Sequence, residues 1–85
     1  MEVYFHKTFE KQLKKLTSKQ KDSFKKKLKI FVNDAFDRVL NNHSLKGKNK
    51  HYRSINIEGD LRALYTTKEN TVYFLEIGTH SELYG

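Results

Sequence analysis

The sequence predicts a single α+β domain over residues 1–85, with an N-terminal strand and a two-helix hairpin packed on one face of a C-terminal antiparallel β-meander. Three observations carry this prediction. Apolar residues recur at helical spacing between Phe9 and Ala35, and the period switches to two from Tyr52 onward. Turn residues at Glu58-Gly59-Asp60 and Lys68-Glu69-Asn70 then divide the second half into short strands.

Each element follows from its own residues. Val3 and Phe5 alternate with Tyr4 and His6, which predicts a strand over 2–6. Thr8 is expected to cap the helix in which Phe9, Leu13 and Leu16 repeat at i, i+4, i+7. Thr17-Ser18 breaks that pattern, and Ser18 is the expected cap of a second helix. There Phe24, Leu28, Phe31 and Ala35 form an apolar stripe, widened by Val32, with lysines on the other face. Phe and Leu at this spacing are core residues. The helix is expected to fade at Asn33-Asp34. Asn41-Asn42-His43-Ser44 and Lys46-Gly47-Lys48-Asn49-Lys50 read as polar turns around an apolar anchor, Leu45.

Further on, Arg53, Ile55 and Ile57 alternate with Tyr52, Ser54 and Asn56. Gly59 is expected to supply the positive φ of a hairpin turn between this strand and Leu61–Thr66. A last strand is predicted over Thr71–Ile77. Within the middle strand Asp60, Arg62 and Leu64 share one face, and Leu61, Ala63 and Tyr65 the other. Alternation alone does not choose which face meets the helices.

Composition removes several classes of function. With no cysteine the chain has no disulfide, no zinc–cysteine site and no thiol catalysis. No window approaches the roughly 20 apolar residues that span a bilayer. Met1–His6 alternates and lacks the apolar run of a leader, so a soluble cytoplasmic chain is expected. The net charge of +7 is lopsided: residues 1–53 hold 15 Lys/Arg against 5 Asp/Glu, and residues 54–85 hold 2 against 5. A basic half of this kind attracts RNA, DNA or acidic protein segments. The plainer alternative for Lys25, Lys26, Lys27 and Lys29 is a helix face that is merely solvated.

The four histidines lie in separate segments with no His-x-x-x-His or His-Glu-x-x-His spacing, so no metal or other cofactor is expected. The glycines at 47, 59, 78 and 85 are isolated and form no phosphate loop, and no Gly-x-Ser-x-Gly occurs. What remains is His43, Lys46, Lys48, Arg53, Asp60, Arg62, His80 and Tyr84. Gly78-Thr79-His80-Ser81-Glu82-Leu83-Tyr84 sets an imidazole and a phenol four residues apart just past a strand. Metal-free RNA cleavage needs a base for the 2′-hydroxyl proton, a cation for the charged phosphorane and an acid for the leaving 5′-oxygen. Histidine serves both proton roles near neutrality and arginine grips phosphate with two donors. This inventory suffices for that chemistry. Each residue also has a plainer alternative: an Arg62 ion pair with Asp60 or Glu76, a His43 held by loop backbone, a surface His80, a packed Tyr84.

His43-Ser44-Leu45-Lys46-Gly47, Tyr52-Arg53-Ser54-Ile55, Gly59-Asp60-Leu61-Arg62-Ala63-Leu64-Tyr65 and the Gly78–Tyr84 segment come in an order that resembles the RelE/ParE toxin superfamily, closest to its YafQ branch. The resemblance covers essentially the whole chain and implies a RelE-like fold. It also implies a ribosome-dependent mRNA endoribonuclease of a type II toxin–antitoxin system. Such an enzyme needs no metal, leaves 2′,3′-cyclic phosphate and 5′-hydroxyl ends, and is silenced by a cognate antitoxin. His43 and His80 then match the acid/base histidines, Asp60 the catalytic carboxylate, Arg62 a phosphate-binding arginine and Tyr84 an aromatic against the substrate base. Lys46, Lys48, Lys50 and Arg53, with Lys25, Lys26 and Lys29 on the helix, are the expected RNA-binding cations. The antitoxin is expected to be an acidic or amphipathic peptide that neutralises the basic half or adds to the sheet edge. Three positions depart from the pattern: Asn56 stands for a histidine, Leu61 for a tryptophan and Ile77 for an arginine, whose cation Arg62 on the neighbouring strand is placed to replace. Two competing readings are a ParE-like gyrase binder that cuts nothing and a decayed toxin that only binds its antitoxin.

Overall fold

The computed structural model describes residues 1–47 and 51–84. Strand β1 (Glu2–Phe5) leads into helices α1 (Lys7–Lys14) and α2 (Ser18–Asn33). A 3-10 turn at Arg38–Leu40 precedes the two-residue strand β2 (His43–Ser44). Strands β3 (Arg53–Glu58), β4 (Leu61–Lys68) and β5 (Thr71–Thr79) follow, and helix α3 (His80–Tyr84) comes last. The five strands form one sheet in the order β1-β5-β4-β3-β2. The meander is antiparallel as expected, while β1 pairs in parallel with β5, Val3 lying beside Val72 and Phe5 beside Phe74.

Two caps lie elsewhere than expected. His6 rather than Thr8 caps α1: its Nδ1 accepts from the Thr8 backbone N–H at 3.1 Å. The His6 N–H is still held by the sheet, donating to Phe74 O at 2.8 Å, so the helix begins immediately after it. Thr17 rather than Ser18 caps α2, because Thr17 has Gln20 three residues on. Gln20 N donates to Thr17 Oγ1 at 3.1 Å and Gln20 Oε1 accepts from Thr17 N at 2.9 Å. From Ser18 the same count reaches Lys21, which has no acceptor to return.

The helices cover one face of the sheet. Phe9, Phe24 and Phe31 pack against Phe74 and Tyr65, with ring centroids 5.6 Å apart for Phe9–Phe74 and 4.9 Å for Phe31–Tyr65. Val32 lies outside this seam, 51% exposed, since it sits about 100° around the helix from Phe31. Leu61, Ala63 and Tyr65 join the core cluster, which settles the facing of β4: Arg62 points away from the helices. The β4–β5 register shifts between Leu64, opposite Glu76, and Tyr65, opposite Phe74, which leaves Leu75 of β5 as the extra residue of a bulge. Gly59 takes φ +51°, as the β3–β4 turn requires, and Glu69 takes φ 58° at the next turn. No helix among the described residues is long and apolar enough to cross a membrane.

Candidate active site

Arg62 is the starting point, because it sits on a central strand of the sheet. It pairs across to Asn56 on β3 and Gly78 on β5, on the face that the helices leave open. Its Nε and one terminal nitrogen are buried with no hydrogen-bond partner. The plainer alternative of an ion pair with Asp60 or Glu76 is not made. Asp60 Oδ2 instead accepts from the His80 backbone N–H at 3.2 Å, and Glu76 faces Gln12 on α1. A desolvated guanidinium without a counter-charge is an anion site in waiting.

The elements beside Arg62 bring the other groups to it. A groove of about 360 Å³ is lined by His43, Ser44, Leu45, Lys46, Arg62, His80 and Tyr84. Two imidazoles separated by 37 positions in the chain (43 to 80), one on β2 and one opening α3, thus line one groove with a guanidinium. His43 arrives because β2 pairs with β3, His43 lying opposite Ser54. Its Nδ1 lies 2.9 Å from Asn41 O. A carbonyl only accepts, so Nδ1 carries the proton, and in the neutral ring Nε2 keeps its lone pair. The loop-backbone bond foreseen for His43 is present, and it sets the tautomer.

His80 arrives because α3 folds back at the end of β5. Thr79 caps α3 reciprocally: Glu82 N donates to Thr79 Oγ1 at 3.3 Å, and Thr79 N donates to Glu82 Oε1 at 2.7 Å. The Thr79 N–H, and after it the Thr79 hydroxyl, hold the exposed Glu82 carboxyl below its ordinary value. Gly78 lets the helix close: a Cβ there would lie 3.2 Å from Glu82 Oε1 and 3.4 Å from Leu83 Cδ2. The His80 and Tyr84 rings are then in contact, with centroids 4.6 Å apart at 59°.

Other candidate residues fall outside the groove. Arg53 donates from Nε to Asn42 Oδ1 at 2.7 Å and lies 5.2 Å over the Phe36 ring, so it is engaged within the fold. Lys25, Lys26 and Lys29 are exposed on α2 and do not line the groove. Lys48 and Lys50 lie outside the described residues. Ile77 is in the helix-side core, 2% exposed, so a cation at that position would face away from Arg62. A larger hollow of about 720 Å³ beside α1 and α3 contains neither histidine nor arginine. Asn42 was missed by sequence reasoning, and its only signal was its place next to His43.

Comparison with known proteins decides the family. The model of the YafQ family, bacterial toxins of type II toxin–antitoxin systems, matches residues 1–85. The chain belongs to this YafQ toxin family. It is similar in fold to YafQ from Escherichia coli strain BL21(DE3), at 22% identity and TM-score 0.85, covering 99% of this chain and 98% of that one. It is likewise similar to the toxin of the E. coli DinJ–YafQ toxin–antitoxin complex, at 23% identity and TM-score 0.82, covering 99% and 97%. A metal-bound toxin from Helicobacter pylori is 27% identical with TM-score 0.74, covering 99% of both chains. The search of curated proteins returns no match. The α+β architecture with a mostly antiparallel sheet is that of these RelE-like toxins.

Proposed function

We propose that this YafQ-family toxin is a ribosome-dependent mRNA endoribonuclease that works by acid/base chemistry and thereby inhibits translation. One observation carries the reading: two imidazoles and an unpartnered guanidinium line the same groove. His43 Nε2 is the base, taking the proton of a ribose 2′-hydroxyl. The 2′-oxygen attacks phosphorus, the bond from phosphorus to the 5′-oxygen breaks, and His80 delivers a proton to that leaving oxygen. The products are a 2′,3′-cyclic phosphate and a 5′-hydroxyl. Arg62, with Lys46 beside it, binds the phosphate and stabilises the charge of the phosphorane. These groups fill all three roles without calling on a metal. Asp60 acts on His80 through the main chain rather than as the base, and Tyr84 offers its ring to a substrate base.

The basic surface of α2, including Lys25, Lys26 and Lys29, supplies the contact with ribosomal RNA, and that contact weakens with salt. A cytoplasmic site of action and silencing by a cognate antitoxin complete the reading. The DinJ–YafQ complex supports an antitoxin partner.

The test is a cell-free translation reaction with mapped mRNA ends. Wild-type protein cuts messages on ribosomes, and His80→Ala, with an unchanged melting temperature, cuts at least about a hundredfold more slowly. Undiminished cutting by folded His80→Ala removes His80 from the chemistry. Intact messages alongside inhibited gyrase supercoiling would replace the nuclease with a gyrase binder.

A further inference from the structure

The strand that delivers His43 to the groove is only two residues long, far too short to hold an imbalance of loop forces by pairing alone. Asn41, just before it, sits in the left-handed region at φ 45°. Something must fix this segment, and Asn42 does so from the inside. Its Nδ2 donates to Tyr65 Oη at 2.6 Å and to Ala35 O at 2.8 Å, while its Oδ1 accepts from Arg53 Nε at 2.7 Å. The carbonyl of Ala35 only accepts and the Arg53 N–H only donates, so the amide has one permitted orientation. Three parts of the fold are joined by one side chain: the segment after α2, β3 and β4. Tyr65 is 3% exposed, and the Arg53 guanidinium lies over the Phe36 ring, so both anchor side chains are packed within the fold.

We propose that Asn42 is the positioning residue of the groove: by clamping the loop it holds Asn41 O against His43 Nδ1 and so keeps the proton on Nδ1 and the lone pair on Nε2. The assignment of a chemical role to that lone pair rests on the nuclease reading above; the clamp and the tautomer do not. Asn42 touches no substrate in this scheme. Its effect reaches the reaction only through the orientation and tautomer of His43.

Nitrogen-15 spectra of the histidine rings in the whole chain test this directly. In the wild type His43 is expected as the Nδ1–H tautomer, and His6, whose Nδ1 accepts from Thr8, as the Nε2–H tautomer. Asn42→Ala should return His43 to a mixture dominated by Nε2–H, as in free histidine, and leave His6 unchanged. Cleavage on ribosomes should fall by up to about a hundredfold in kcat with KM little altered, as for a displaced catalytic group. If Asn42→Ala does not fold, Tyr65→Phe removes one of the clamp's partners and keeps the buried ring; it should produce a smaller shift of the same kind. A wild-type His43 found as Nε2–H, or a His43 tautomer indifferent to a folded clamp variant, overturns the proposal. A tautomer that shifts while His43→Ala cuts RNA normally upholds the clamp and overturns the role given to His43.

Discussion

The two faces of the sheet are built from alternate residues of the same strands, yet they obey opposite rules. On the helix side, Leu61, Ala63 and Tyr65 of β4 join Phe9, Phe31 and Phe74 in a core of close ring contacts. On the open side, Arg62 of the same strand is left with two buried nitrogens unpartnered, and Asn56 Oδ1 and Glu58 Oε1 on β3 are likewise unsatisfied. Buried polar groups are normally paired, since leaving one unpaired costs about 1–3 kcal/mol. The cost falls on the open face, and the helix-side core is apolar. These unsatisfied groups lie on the face that carries the proposed site.

Breaking the helix-side face should have the largest effect on folding. Phe74→Ala removes a ring in contact with Phe9, Phe24, Phe31 and Tyr65, and is expected to lower stability by about 3–5 kcal/mol in denaturant titration. A loss below about 1 kcal/mol would mean that the rings do not form a common core. On the open face the sign should reverse. Arg62→Leu removes the unpartnered guanidinium and should raise stability by about 1–3 kcal/mol, while cleavage is lost. If Arg62→Leu melts lower than wild type, Arg62 is structurally partnered in solution and the contrast between the faces fails.

Smaller effects sharpen the edges of the comparison. His6→Ala deletes the cap of α1 and should cost about 1 kcal/mol, with His6→Ser recovering most of it. The smallest expected effect lies at α3. Glu82 has a carboxyl pKa depressed in the folded state, so its contribution is fully present above the ordinary value of 4.5 and is lost as pH falls through the lowered value. Helical signals of residues 80–84 should therefore weaken on acidification before the core melts, and Glu82→Gln should remove that pH dependence, while Thr79→Ala, which keeps the backbone N–H, should only reduce it. An acid transition of α3 unchanged by Glu82→Gln would assign it to another group.

Much of this protein was legible in local pattern, because helical and strand periods are set by residues within a few positions of each other. The Phe9–Leu16 and Phe24–Ala35 stripes, the end of α2 at Asn33 and the turn at Gly59 all follow from such short-range order. The caps were displaced by one or two residues because a cap depends on which neighbour can reciprocate, as Gln20 does for Thr17. The order of the four motifs also carried the family.

Tertiary structure alone decided the rest. Alternation along β4 left two possible facings, and only the packing of α1 and α2 turned Arg62 outward. The parallel pairing of β1 with β5 joins residues some 69 positions apart, Val3 with Val72, which no local period encodes. His43, Arg62 and His80 share a groove because strand order sets β4 beside β5 and only β3 between β4 and β2, and Asn42 matters because three distant partners converge on one amide. Sequence determines which side chains are available and what local shape each segment prefers. Which of them stand within reach of one phosphodiester is a property of long-range contacts, and those form only when the whole sheet closes.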